Sequence, residues 1–167
     1  MAGTMGGDTM EKLNIAVADD NERILDLLAT IIKNDKELEL VGQADNGKDI
    51  YDIIREKKPD VVLLDIIMPK MDGLTIMEKI SKDQSIKKQP AFIVVSAVGQ
   101  DRITEDAFNL GANYYILKPF DNDVVINRIK AVAGKNTRRG EVRTNQDYTM
   151  QAQERNLELD VTNIIHE

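Results

Sequence analysis

From Leu13 to Val132 the chain alternates short runs rich in β-branched residues with longer stretches whose apolar residues recur at helical spacing. Residues 13–18, 38–44, 61–64, 91–96 and 114–117 are the predicted strands. Several are continuously apolar, as strands buried on both faces of a parallel sheet tend to be. Between and after them lie Ile24, Leu27, Leu28, Ile31 and Ile32, then Ile50, Ile53 and Ile54, then Ile76, Met77 and Ile80. Each set marks one apolar stripe of a covering helix. Ile103, Ala107 and Leu110 give a weaker fourth helix, and Val124, Val125, Ile129 and Val132 a fifth, with Asp121 as its expected N-cap. Five such units require right-handed crossovers and an open, doubly wound α/β sheet covered on both faces. In that architecture the functional site lies beyond the carboxyl ends of the strands, near the point where strand order reverses.

A length of 167 residues suits one main domain with a full core and excludes two large ones. No apolar run approaches membrane-spanning length, so no membrane partner is expected and a cytoplasmic location is. Residues 1–9 are small and Gly-rich, without the charged flank and apolar centre of a signal peptide, and read as an expression remnant or a disordered start. With no cysteine and a single histidine, His166, thiolate sites, His clusters and His-containing triads are excluded as sources of chemistry. Carboxylates must carry it. The formal charge of -7 disfavours unspecific attraction to nucleic acid.

These features set the expected domain boundaries. Residues 10–133 form the main domain. Residues 134–156 are polar, include Arg138-Arg139-Gly140, and offer too little apolar area to offset ordering, so they read as a flexible linker. Apolar spacing resumes over 157–167 (Leu157, Leu159, Val161, Ile164, Ile165) and reads as the truncated start of a second domain.

The strand ends carry the polar residues that matter. Asp19 and Asp20 follow the first strand and Asp65 the third, while Ser96 closes the fourth and Lys118 follows the fifth. Three carboxylates gathered at one edge repel unless a cation joins them, and an all-oxygen donor set suits magnesium, with manganese or calcium as substitutes. Each residue also has a plainer reading. One Asp before a helix caps free N–H groups, Ser96 could open a helix, and Lys118 could be a solvated lysine. Asp65 fits capping less well, because it runs into Met68-Pro69 and Asp72-Gly73, which signal turns. Lys118 precedes Pro119, and only X-Pro bonds adopt the cis form at appreciable frequency. Tyr115 fits its strand by propensity alone.

Taken in order, Asp19-Asp20, Asp65 with Met68-Pro69 and Asp72-Gly73, Ser96-Ala97 and Lys118-Pro119 resemble the receiver domain of two-component response regulators, over Leu13 to about Ala133. The resemblance implies a flavodoxin-like (CheY-like) fold of five parallel strands and five helices. It implies that Asp65 accepts a phosphoryl group from a phosphohistidine on a histidine kinase or histidine phosphotransferase. Asp20 and Asp65 would bind the metal directly with the backbone carbonyl of Ile67, and Asp19 would act mainly through metal-bound water. Lys118 would meet one phosphoryl oxygen and Ser96 another, and Tyr115 would turn with the Ser96 hydroxyl as the switch. The resemblance extends to regulators of sporulation. It then implies a phosphorelay component that self-associates on phosphorylation and reaches DNA only through an effector domain beginning near Leu157.

Two other readings compete. A stand-alone receiver would signal by docking alone, which the effector-like segment 157–167 disfavours. An Asp-nucleophile phosphatase of the haloacid dehalogenase type needs a second Asp two residues after the nucleophile, and Ile67 stands there. The expectation is therefore a phosphoacceptor switch and not an enzyme with an external substrate.

Overall fold

The computed structural model describes residues 12–68 and 70–137. Five strands alternate with five helices: β1 (Leu13–Ala18), α1 (Glu22–Lys33), β2 (Leu38–Ala44), α2 (Gly47–Lys57), β3 (Val61–Asp65), α3 (Gly73–Lys82), β4 (Ala91–Ala97), α4 (Asp101–Asn109), β5 (Tyr114–Lys118) and α5 (Asn122–Thr137). The strands form one parallel sheet in the order β2-β1-β3-β4-β5. The chain moves outward from β1 to β2, then crosses back to β3, so strand order reverses between β1 and β3. Helix α1 packs against α5, and α2, α3 and α4 pack in succession.

The central strands are apolar because both faces are covered. Ile15, Val62, Leu63, Leu64, Ile93 and Val94 are all buried to at least 99%, each such side chain contributing about 1.5–3 kcal/mol by leaving water. Helix stripes close over them through Leu28, Ile32, Ile50, Ile54, Ile76, Ile80, Val125 and Ile129.

Three strands run one residue further than the sequence pattern indicates. β3 includes Asp65, β4 includes Ala97 and β5 includes Lys118, because the pairs Asp65↔Val95 and Ala97↔Lys118 continue the parallel ladder. Backbone pairing, not apolarity, ends these strands, so β3 and β5 close on the charged residues Asp65 and Lys118 and β4 on Ala97, next to Ser96.

Helix α5 also passes its expected end. The linker was expected from Gly134, but the helix continues to Thr137. Gly134 has open space around it, and one glycine costs a helix only about 1 kcal/mol. The remainder of the expected linker, the expected second-domain start (157–167) and residues 1–9 lie outside the described residues.

Candidate functional site

The reversal point holds the acidic residues. Helix α1 is capped by Asn21, whose Oδ1 accepts from the N–H groups of Arg23 (2.9 Å) and Ile24 (3.3 Å). Neither Asp19 nor Asp20 is needed as the cap. Asp19 is fully buried, and its Oδ1 accepts the Asn21 N–H at 2.9 Å. Its Oδ2 is buried with no hydrogen-bond partner, although the Lys118 ammonium lies 3.1 Å away. That approach supplies opposite charge without the directed geometry of a hydrogen bond. Asp20 is exposed.

Asp65 completes the group from the last position of β3. Its Oδ1 accepts the Ile67 N–H at 3.3 Å, and its Oδ2 lies 3.7 Å from Lys118 Nζ. One carboxylate oxygen from each of Asp19, Asp20 and Asp65 lies within 4.8 Å of the others. Burial, and next the negative charge of Asp19, raise the Asp65 carboxyl from 3.8 to about 7, against the opposing pull of Lys118 and the Ile67 N–H. Three clustered carboxylates with one ammonium beside two of them leave an excess of negative charge, and the buried Asp19 Oδ2 is an acceptor without a hydrogen bond. A divalent cation fits such hard oxygen donors and would neutralise their repulsion.

Ser96 is buried one residue beyond Val95, the strand partner of Asp65, and pairs with Leu117. Asp65 and Lys118 therefore end β3 and β5, and Ser96 stands one residue before the end of β4 between them. Lys118 and Pro119 are joined by a cis peptide bond. The Ile67 side chain is about half exposed while its N–H serves Asp65. Tyr115 is buried, with its ring edge-on to Phe108 at 6.4 Å, and its carbonyl accepts from Arg128 Nε at 3.0 Å. A cavity of about 350 Å³ between α1 and the start of α2 includes Asp26, Asp45 and Asp49 in its lining but none of the Asp19, Asp20, Asp65 group.

Two glycines shape the loop that follows Asp65; the sequence marked Gly73 through its Asp72-Gly73 turn and did not single out Gly47. A Cβ on Gly73 would meet Ile66 Cα at 2.8 Å and the Asp65 carbonyl at 2.9 Å. The Gly73 N–H donates to the Ile66 carbonyl at 2.6 Å, closing the loop on itself. A Cβ on Gly47, at the start of α2, would collide with the Met71 carbonyl. The only sequence signal for either was a turn-forming dipeptide, Asp72-Gly73 or Asn46-Gly47.

The family model for the response regulator receiver domain matches residues 15–130. Solved structures agree. The signal receiver domain of the response regulator NarL from Mycobacterium tuberculosis superposes with a TM-score of 0.69 at 26% identity, covering 75% of this chain and 98% of that one. A chain of the CheX–CheY complex with beryllium fluoride and magnesium from Borrelia burgdorferi gives 0.68 at 29%, covering 78% of this chain and 96% of that one. A DNA-binding response regulator of the LuxR family from Staphylococcus aureus gives 0.65 at 27%, covering 71% and 97%.

Proposed function

From the premise that this chain belongs to the response regulator receiver domain family, we propose that Asp65 is its phosphoacceptor and that phosphorylation there switches an output beyond the described residues. The observation that carries the reading is the clustering of Asp19, Asp20 and Asp65 at the strand-order reversal, with the Lys118 ammonium beside Asp19 and Asp65.

Phosphoryl transfer asks chiefly for in-line positioning and neutralisation of charge. An ionised Asp65 oxygen attacks the phosphorus of a phosphohistidine, the P–N bond breaks, and the imidazole leaves as the acyl phosphate forms. No side-chain base is required, because the carboxylate is already the nucleophile. Asp20, Asp65 and the Ile67 carbonyl would hold magnesium directly, or manganese or calcium in its place, with Asp19 acting through bound water. The cation supplies charge neutralisation to the carboxylates and to the transferred group. The Lys118 ammonium pairs with one phosphoryl oxygen and the Ser96 hydroxyl donates to another. The movement of Ser96 then biases Tyr115 and the face formed by α4, β5 and α5, a two-state response driven by differential contacts.

At finer grain, the stretches around Asp19-Asp20, Asp65 and Lys118-Pro119, with residues 156–167, resemble the stage zero sporulation protein A. We read the chain as a phosphorelay receiver (10–133), a connecting segment and the start of a DNA-binding effector controlling sporulation. A histidine phosphotransferase or kinase is its donor, and the location is the cytoplasm. Among the described residues no helix is long and apolar enough to cross a membrane.

Transfer of a labelled phosphoryl group from a phosphohistidine donor tests the reading. Label is expected on the parent chain in magnesium and absent from Asp65→Ala. Equal labelling of both would overturn it.

A further inference from the structure

The loop leaving β4 is held by one side chain that the proposed mechanism does not use. Gln100 lies between Ala97 and the first turn of α4. Its Oε1 accepts the Ala97 N–H at 2.8 Å, and its own N–H donates to the Ala97 carbonyl at 3.1 Å. Both backbone groups of Ala97, the residue after Ser96, are thus bound to Gln100. The Gln100 carbonyl in turn accepts from the N–H (2.9 Å) and the Oγ1 (2.8 Å) of Thr104, which is 98% buried in α4.

The direction of this side chain is informative. A polar residue at a helix start ordinarily turns forward to satisfy the first free N–H groups. Gln100 turns backward to the strand, and α4 is left without a side-chain cap. The two residues it spans, Val98 and Gly99, leave the chain room to bend: Val98 is 58% exposed, and Gly99 has φ +95° with open space around it. The stiffness of the segment therefore rests on Gln100.

We infer that Gln100 is a positioning residue for Ser96, whose side-chain amide holds the end of β4 in place and must release Ala97 before Ser96 can be drawn toward a phosphoryl group on Asp65. This rests on the phosphoacceptor reading and names its threshold. Breaking the hold costs a hydrogen bond whenever the site is loaded, so removing the hold in advance favours the loaded form. Because Gln100 is anchored to Thr104, its release also frees α4 from the strand end, giving the site a route to that helix.

The test uses the full chain and beryllium fluoride, a phosphoryl mimic that needs an acidic site with magnesium. Gln100→Met keeps the length of the side chain and removes the acceptor. It is expected to bind beryllium fluoride about three- to tenfold more tightly than the parent, the range set by one ordinary hydrogen bond. Magnesium affinity alone should be unchanged. Gln100→Glu retains an acceptor oxygen and is expected at or below the parent affinity. An unchanged or weaker Gln100→Met, equal shifts for both variants, or a parallel change in magnesium affinity would overturn the inference. Parent binding that survives Asp65→Asn would instead remove the phosphoacceptor reading itself. Should Gln100→Met fold poorly, Thr104→Val loosens the same anchor while keeping a branched side chain, and must shift affinity in the same direction.

Discussion

Asp65 is a carboxylate that folding disfavours, and this has consequences that can be measured without any phosphoryl donor. Its folded value near 7 stands above the unfolded 3.8. Its ionisation therefore costs the folded state nothing below about pH 4, increasingly between the two values, and in full above 7. Asp65→Asn is expected to stabilise the metal-free protein by on the order of 1–2 kcal/mol at pH 8, after allowance for solvent screening, and by almost nothing near pH 4. Magnesium should stabilise the parent and leave Asp65→Asn nearly unmoved. Circular-dichroism melts at two pH values, with and without the ion, check both, since the chain has no tryptophan. Destabilisation by Asp65→Asn at pH 8 would contradict the account. Lys118 calls for a different result. Its ammonium sits 3.1 Å from Asp19 and 3.7 Å from Asp65, competing for the charge a cation would meet. Lys118→Ala should keep or raise magnesium affinity while lowering phosphoryl incorporation, measured by calorimetry and labelling, and a large loss of magnesium affinity would exclude this role. The acids and the lysine were legible in the sequence because each closes an apolar strand. The Lys118–Asp19 pairing and the backward reach of Gln100 were not, since they depend on strand order and loop path that no local pattern carries.

Elements meet through contacts that periodicity does not describe. The alternation of strand and helix was readable, down to the apolar stripes, because burial on both faces of a parallel sheet leaves a strong pattern. The strand ends were misplaced by one residue at Asp65, Ala97 and Lys118, where ladder pairing outlasts apolarity. Helix α5 outlasts Gly134 for a similar reason: an existing helix tolerates a residue that would not start one. The approach of α2 to the loop after β3 was invisible in the sequence, yet it fixes where that loop lies. Gly47→Ala drives a methyl group into the Met71 carbonyl and must push α2 and the loop apart. A loss of about 1–3 kcal/mol in denaturant unfolding is expected, the usual cost of overpacking, with weaker magnesium binding as the loop carrying Ile67 shifts. Gly134→Ala, in open space on α5, should instead be neutral or mildly stabilising. Equal effects at the two glycines would show that the Gly47 contact is not structural.

At the scale of the whole molecule the sheet acts as a rigid frame that brings residues from four strand ends into one corner, with the helices α4 and α5 beside it to report on that corner. Phosphorylation is expected to increase self-association through the face near Tyr115 and α5, and sedimentation with and without beryllium fluoride measures it. An unchanged mass would confine signalling to changes within one chain. The chain alone is not expected to read DNA. Residues 134–167 hold five basic and six acidic side chains, so their formal charge is -1 and they offer no net excess of cations for counterion release. A gel shift showing sequence-specific binding by this chain would require a DNA-reading surface on the receiver itself. The claim beneath all of these is that Asp65 takes up a phosphoryl group, and intact-mass measurement after incubation with acetyl phosphate and magnesium tests it most directly. The account predicts one added phosphoryl group on the parent chain, lost on chelation of magnesium and absent from Asp65→Ala; undiminished uptake by Asp65→Ala, or no uptake by the parent, would contradict it.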